Sequence, residues 1–269
     1  MVLCAVCGAP VGYPNVRYAQ RDEEMAALEA RVVAARISAS AKGSTAVLAR
    51  FGKAVETSQT VISKSLGDLH AILQNSSALM QAFHPAVRGA QRMPQNNGWD
   101  QAREANDSRI NPHFFQDLHF GALSLDGRGV PHYGPYAITL RNDRVGGRST
   151  VFEENPVLFN EKHPISRDKP VPFGFRATWG DRAKLAVAKL HHKIDAETPD
   201  EEFASILLEP GNVGSDSDFI EVHVYGMLHA KSFEKVIGPV PARGLDKFLW
   251  DEVKRGLAKS GATWQEEKR

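Results

Sequence analysis

Between Asp218 and Gly226 the chain reads Asp-Phe-Ile-Glu-Val-His-Val-Tyr-Gly, with apolar and polar side chains alternating. That two-residue period belongs to a strand, and it places Ile220, Val222 and Val224 on one face and Glu221, His223 and Tyr225 on the other. The first face is pure core. The second presents a carboxylate, an imidazole and a phenol in a row, with neighbours on one face about 6.5–7 Å apart. A carboxylate fixed on the floor of a cleft stabilises a developing cation, and a Glu beside a His exchanges protons with a substrate. Glu221 is therefore the candidate catalytic carboxylate and His223 its candidate partner. An ordinary half-exposed strand carries the same pattern.

Two other segments offer binding groups. Val130-Pro131-His132-Tyr133-Gly134-Pro135-Tyr136 sets a glycine between aromatic residues ahead of an apolar run. A missing Cβ there lets a flat ligand reach the backbone beside Tyr133, or makes a tight turn before a core strand. Arg148-Ser149-Thr150 follows the Gly146-Gly147 turn. A forked guanidinium suits a phosphate or pyrophosphate, and the hydroxyls can orient it. Cys4 and Cys7, the only cysteines, have the two-residue spacing of half a zinc knuckle. Neither a second Cys-x-x-Cys nor a His pair at finger spacing follows, so a zinc ion needs further ligands from a distant His or a partner chain. A redox pair, or a chain end without chemistry, is the alternative. His191-His192 lies mid-helix, where neighbours point about 100° apart, and reads as a solvated pair.

These residues need a scaffold, and composition divides it near residue 108. The first 108 residues hold 5 of the 22 aromatic residues and 4 of the 15 prolines, so the two parts differ in kind. Asp22-Glu23-Glu24 ahead of strong helix formers, with Met25, Leu28, Val32 and Ala35 at helical spacing, predicts one helix. Gly43 and Ser44 stop it and cap a second, with the stripe Leu48, Phe51, Val55, Ile62, Leu66, Leu69 and Leu73. The expected organisation is a Cys-bearing N-terminal segment (1–20), a helical hairpin region (21–84), a linker or surface loop (85–112), and an α+β domain (113–269) that carries the chemistry. Pro85, Pro94 and Asn96-Asn97-Gly98 mark the loop. Within the last part, strands are expected at 120–125, 136–140, 150–152, 156–159 and 219–225, and helices at 180–194 and 245–257. Strands outnumber helices without alternating with them, which predicts an α+β fold rather than a doubly wound sheet.

Several classes of function are excluded or disfavoured. The balance of 33 basic against 32 acidic residues, net +1, disfavours stable binding of duplex DNA, where phosphate neutralisation supplies most of the affinity. No apolar run reaches the length of a membrane span, and the N-terminus carries no basic leader with an apolar core. The expected location is the cytoplasm, or delivery by a secretion system that needs no signal peptide. HExxH, GxxxxGK[ST] and G-x-S-x-G motifs are absent.

Taken together, the segments resemble an uncharacterised bacterial family. Phe120-Gly121-Ala122-Leu123-Ser124, Pro131-His132-Tyr133-Gly134, Leu140, Arg148-Ser149-Thr150-Val151-Phe152 and the Asp218 to Gly226 run are similar, in order and approximate spacing, to its YGALN, PRFG, LRL, RTTF and DYIEA[HQ]VHG blocks. The likeness covers about residues 118–240. The family's His-Pro-Asp-Arg block is echoed by His84-Pro85-Ala86-Val87-Arg88, and Tyr225 replaces its last His. Tyr133-Gly134-Pro135-Tyr136-Ala137-Ile138 followed by Asn155-Pro156-Val157-Leu158-Phe159 is also similar to a class of abortive-infection proteins. At the level of fold, the arrangement looks like the mono-ADP-ribosyltransferase superfamily, whose split, mostly antiparallel α+β core holds NAD. That resemblance implies NAD as co-substrate and Glu221 as the catalytic residue, with His119 in the early-strand role. It implies Arg148 on the pyrophosphate, Ser149 or Thr150 bracing the nicotinamide ribose, and Tyr133 with Gly134 against the nicotinamide. The target is then an unidentified macromolecule, and the protein a toxin, effector or phage-defence enzyme. Two other readings stand beside it: a non-catalytic module that docks a partner through the helical hairpin and the Cys pair, and a hydrolase with Glu221 and His223 as acid–base pair.

Overall fold

Eight strands are hydrogen-bonded into one sheet: β1 (Gln59–Lys64), β2 (Leu118–Ser124), β3 (Tyr136–Leu140), β4 (Ser149–Phe152), β5 (Arg176–Thr178), β6 (Glu221–Tyr225), β7 (Phe233–Pro239) and β8 (Thr263–Glu267). Their order is β8-β7-β3-β1-β2-β6-β4-β5, antiparallel throughout except where β8 runs parallel to β7. The computed structural model describes residues 2–3, 10–75, 79–84, 98–166, 168–211 and 217–267, with residues 2, 3, 10 and 98–101 by backbone alone. The expected α+β class with a mostly antiparallel sheet holds. The sheet is continuous rather than split into two.

Helices α1 (Pro14–Ala19), α2 (Asp22–Ala41), α3 (Thr45–Val55), α4 (Leu66–Gln74), α5 (Gly98–Ile110), α6 (Pro156–Lys162), α7 (Arg182–Leu190) and α8 (Gly244–Ser260) cover it. The alternation along β6 resolves as expected. Ile220, Val222 and Val224 are fully buried in the main core with Leu28, Phe51, Leu69, Leu185 and Trp250, so this face of the sheet is closed by α2, α3, α4, α7 and α8. Burying a side chain of this size contributes about 1.5–3 kcal/mol, which makes this layer the chief stabiliser of the fold. The other face carries Glu221 and His223, with Phe152 packed against Ile110 of α5 and Phe159 of α6.

Three expectations change. The second helix of the hairpin stops at Val55, because Thr57 and Ser58 turn their hydroxyls back onto the carbonyls of Ala54 and Val55. The β-branched run Thr60-Val61-Ile62 then enters the middle of the sheet as β1, and Ser65 caps α4 by accepting from the Asp68 N–H. Ile62 and Leu69 matched one helical stripe only because strand and helix bury them in the same core. Described residues of both regions, among them Leu28, Phe51 and Leu69 of the first and Leu185, Val222 and Trp250 of the second, thus share one core. Residues 98–110, expected within a loop, form α5; 85–97 lie outside the described residues. Residues 156–159 are helical, not extended. Asn155 accepts the Val157 N–H at 2.9 Å, and Pro156 occupies the first helical position, where its missing N–H costs nothing.

Candidate active site

α5 meets β6 through ions. Among its described side chains, those of residues 102–110, the buried ones are Arg103, Asn106, Asp107 and Ile110, of which Ile110 joins an apolar cluster. A buried charge is tolerated only when paired and hydrogen-bonded, and here it is. Arg103 Nε donates to Asp107 Oδ2 at 2.9 Å, and Arg103 Nη2 donates to Glu221 Oε1 at 2.7 Å. His84 Nε2 shares Asp107 Oδ2 at 2.8 Å, and His223 Nε2 shares Glu221 Oε1 at 2.9 Å. The amide of Asn111 lies 3.2 Å from His223 Nδ1; a donor there makes Nδ1 the acceptor and leaves Nε2–H to donate to Glu221. Phe152 stacks on His223 with an interplanar angle of 22°, and Phe120 lies 4.3 Å from the Arg103 guanidinium carbon. Burial opposes the charge on Arg103, yet Asp107 and Glu221 overcome it and raise its pKa above the ordinary arginine value. Glu221 therefore sits beside a permanent cation.

A cleft opens where β1 and β2 part. They pair at Gln59 with Ser124, Thr60 with Leu123 and Val61 with Ala122, then diverge, while β1 stays paired to β3 as far as Lys64 with Tyr136. Gly121 stands at the parting, where a Cβ would come 2.8 Å from the Val61 carbonyl oxygen. The cleft is lined by Lys64, Arg103, His119, Phe120, Tyr133, Asn155 and Glu221 among others, and its volume is about 100 Å³. At about 30 Å³ per water that is room for roughly three waters, or for one ring of a larger ligand. Glu221, which lines the cleft, takes both donors on Oε1, while Oε2 has no hydrogen-bond partner among the described residues.

Tyr133 reaches this cleft because its loop presses on β1. Asn155 donates to the Tyr133 hydroxyl at 3.4 Å. Gly134 has φ of 147°, and a Cβ there would lie 2.2 Å from the Lys64 carbonyl carbon. Gly134→Ala is accordingly expected to lift the loop and destabilise the protein by about 1–3 kcal/mol, read as a lower urea midpoint. An unchanged midpoint would show that the close approach is dispensable.

His119 borders the cleft from the opposite face of the sheet, since it pairs with Val224. Burial, and then the charges of Lys64 and Arg148, lower its pKa to about 3. The unfolded histidine takes its proton near 6.5 and the folded one only near 3, so stability is full above 6.5 and falls as the pH drops from 6.5 to 3. His119→Gln is expected to flatten that fall, measured as the difference between urea midpoints at about pH 7 and about pH 4.5.

The remaining predicted residues are placed elsewhere. Arg148, Ser149 and Thr150 lie on the far side of β6 from the cleft, where the first two bond backbone carbonyls and the third a side-chain amide. Arg148 donates to the carbonyls of Tyr225 and Arg144, Ser149 Oγ donates to Val145 O at 2.8 Å, and Thr150 Oγ1 accepts from Asn15 at 3.4 Å. His223 is 2% exposed and orients Glu221 from behind rather than facing the cleft. Cys4 and Cys7 lie outside the described residues, and the zinc reading with them. Among the described residues, no group of three or more His, Cys, Asp or Glu side chains could hold a metal ion. Also among them, no helix is long and apolar enough to cross a membrane.

The structure adds Arg103, Asp107, Lys64 and Asn155. The Arg103/Asp107 spacing of four was a helical signal, and Asn155-Pro156 was a helix start. No protein-family model matches the chain, and no curated protein matches it in sequence.

Proposed function

We propose that the protein is an NAD-dependent ADP-ribosyltransferase-like enzyme in which Glu221 is the working carboxylate. The observation that carries this reading is the division of labour within a side chain that lines the cleft: Oε1 is fixed by Arg103 and His223, and Oε2 has no hydrogen-bond partner among the described residues. When the bond between nicotinamide and ribose breaks, its electron pair leaves with the nicotinamide nitrogen, and the ribose becomes an oxocarbenium cation. A carboxylate held in place beforehand stabilises that cation and hydrogen-bonds a ribose hydroxyl without reorganising. An acceptor nucleophile then attacks the cation and gives up its proton. The cleft volume suits the nicotinamide ring, with Tyr133 to stack on it and the rest of the dinucleotide at the mouth beside Lys64. Arg148, Ser149 and Thr150 have no part in this version.

The acceptor is a macromolecule, as for a toxin, effector or phage-defence enzyme, or water. The hydrogen bond between Glu221 and His223 favours the hydrolytic alternative, because a Glu–His pair suits activation of water. One experiment serves both. Purified protein is incubated with NAD, alone and in cell lysate, and nicotinamide release is followed by mass spectrometry of protein and nucleic acid. Release with label on a macromolecule supports transfer, and release with free ADP-ribose supports hydrolysis. No release in either setting overturns the reading.

A further inference from the structure

We propose that Asp107 is a positioning residue that keeps Arg103 from engaging both oxygens of Glu221. The proposal rests on reading Glu221 as the working carboxylate. A guanidinium presents Nε and one Nη along a single edge, and a carboxylate within reach takes both, one per oxygen. Here that edge is divided: Nε goes to Asp107 Oδ2 and Nη2 to Glu221 Oε1. Asp107 is fully buried, and His84 holds the same Oδ2 at 2.8 Å, which fixes the carboxylate where it can capture Nε. The cost of that arrangement is visible. Asp107 Oδ1 is buried with no hydrogen-bond partner among the described residues, although a buried carboxylate oxygen ordinarily finds one. Loading both donors onto one oxygen makes sense if Asp107's task lies in where it holds Arg103. Glu221 mirrors it, with Arg103 and His223 both on Oε1 and no partner for Oε2 among the described residues. Without the Asp107 charge, Arg103 is free to turn its whole edge onto Glu221, and Oε2 is then occupied by protein.

The test begins with the structure of Asp107→Ala. The expected result is Arg103 Nε within hydrogen-bond distance of Glu221 Oε2. Arg103 keeping its single bond to Oε1, or leaving Glu221, overturns the proposal. In parallel, nicotinamide release from NAD is expected to fall about 100-fold with KM for NAD little changed, the scale of loss that misplacing a reacting group produces. Adding Arg103→Lys, a cation without a fork, is expected to recover about tenfold or more of that loss. A purely architectural Asp107 would instead lower activity in step with the folded fraction, with no recovery from the lysine. Should Asp107→Ala not fold, Asp107→Asn keeps the side chain's shape with a weaker acceptor, and the same shift of Nε and a smaller, lysine-reversible loss are expected. Wild-type protein that releases no nicotinamide removes the NAD reading, while the variant structures still decide this one.

Discussion

Glu221→Gln is expected to give a folded protein whose release of nicotinamide from NAD is lower by about 10²–10³-fold, the usual cost of removing one preorganised electrostatic group. The substitution keeps the shape of the side chain and leaves a carbonyl oxygen to accept from Arg103 and His223, which now meet at Oε1. What disappears is the negative charge facing the cleft. Arg103 is not orphaned, because Asp107 still accepts its Nε. The loss of stability should therefore stay at about 1–3 kcal/mol, the cost of weakening charge-assisted hydrogen bonds rather than stranding an ion. Chromatographic measurement of nicotinamide, with a urea denaturation curve of the same preparation, checks both halves. A variant that turns over NAD as fast as wild type would remove Glu221 from the mechanism whatever its stability.

Arg103→Ala is expected to have the largest effect on stability. It leaves the Asp107 and Glu221 carboxylates buried with only a histidine each, and breaking a buried ion pair from one side costs about 3–5 kcal/mol. The comparison that gives this figure meaning is Arg128→Ala. Arg128 also joins two carboxylates, Asp126 and Glu267, but its side chain is 66% exposed, and such surface pairs contribute about 0–1 kcal/mol. Urea midpoints for the two variants should separate clearly. Equal midpoints would mean that the ions between α5 and β6 contribute no more than surface pairs do.

The same pair of helix and strand separates what was legible in the chain from what was not. The alternation from Ile220 to Tyr225 was readable because each strand residue reports its own face, and the core did bury the predicted half. The helix at 22–41 was readable because three acidic residues precede a run of helix formers. Its neighbour was misread, since apolar spacing at Ile62 and Leu69 says that both are buried but not by which kind of element. α5 escaped notice because three of its four buried residues between 102 and 110, Arg103, Asn106 and Asp107, are polar, so the apolar period that reveals most helices is missing there. Arg148-Ser149-Thr150 showed the converse error. Residue types fitted for a phosphate were spent on neighbouring carbonyls and on Asn15.

By itself, then, the sequence determined the α+β class, the face on which Glu221 stands, and Tyr133 and Gly134 as residues of one loop. Tertiary structure alone decided that β1 and β2 part to make a cleft, that Tyr133 reaches it, and that Arg103 joins Glu221. The physical reason is range. Periodicity is a local property, enforced by backbone geometry within a few residues. Arg103 and Glu221 are 118 residues apart, and nothing local selects which buried carboxylate a buried guanidinium will find. That choice is made only when the sheet closes and an unpaired ion becomes too costly to leave.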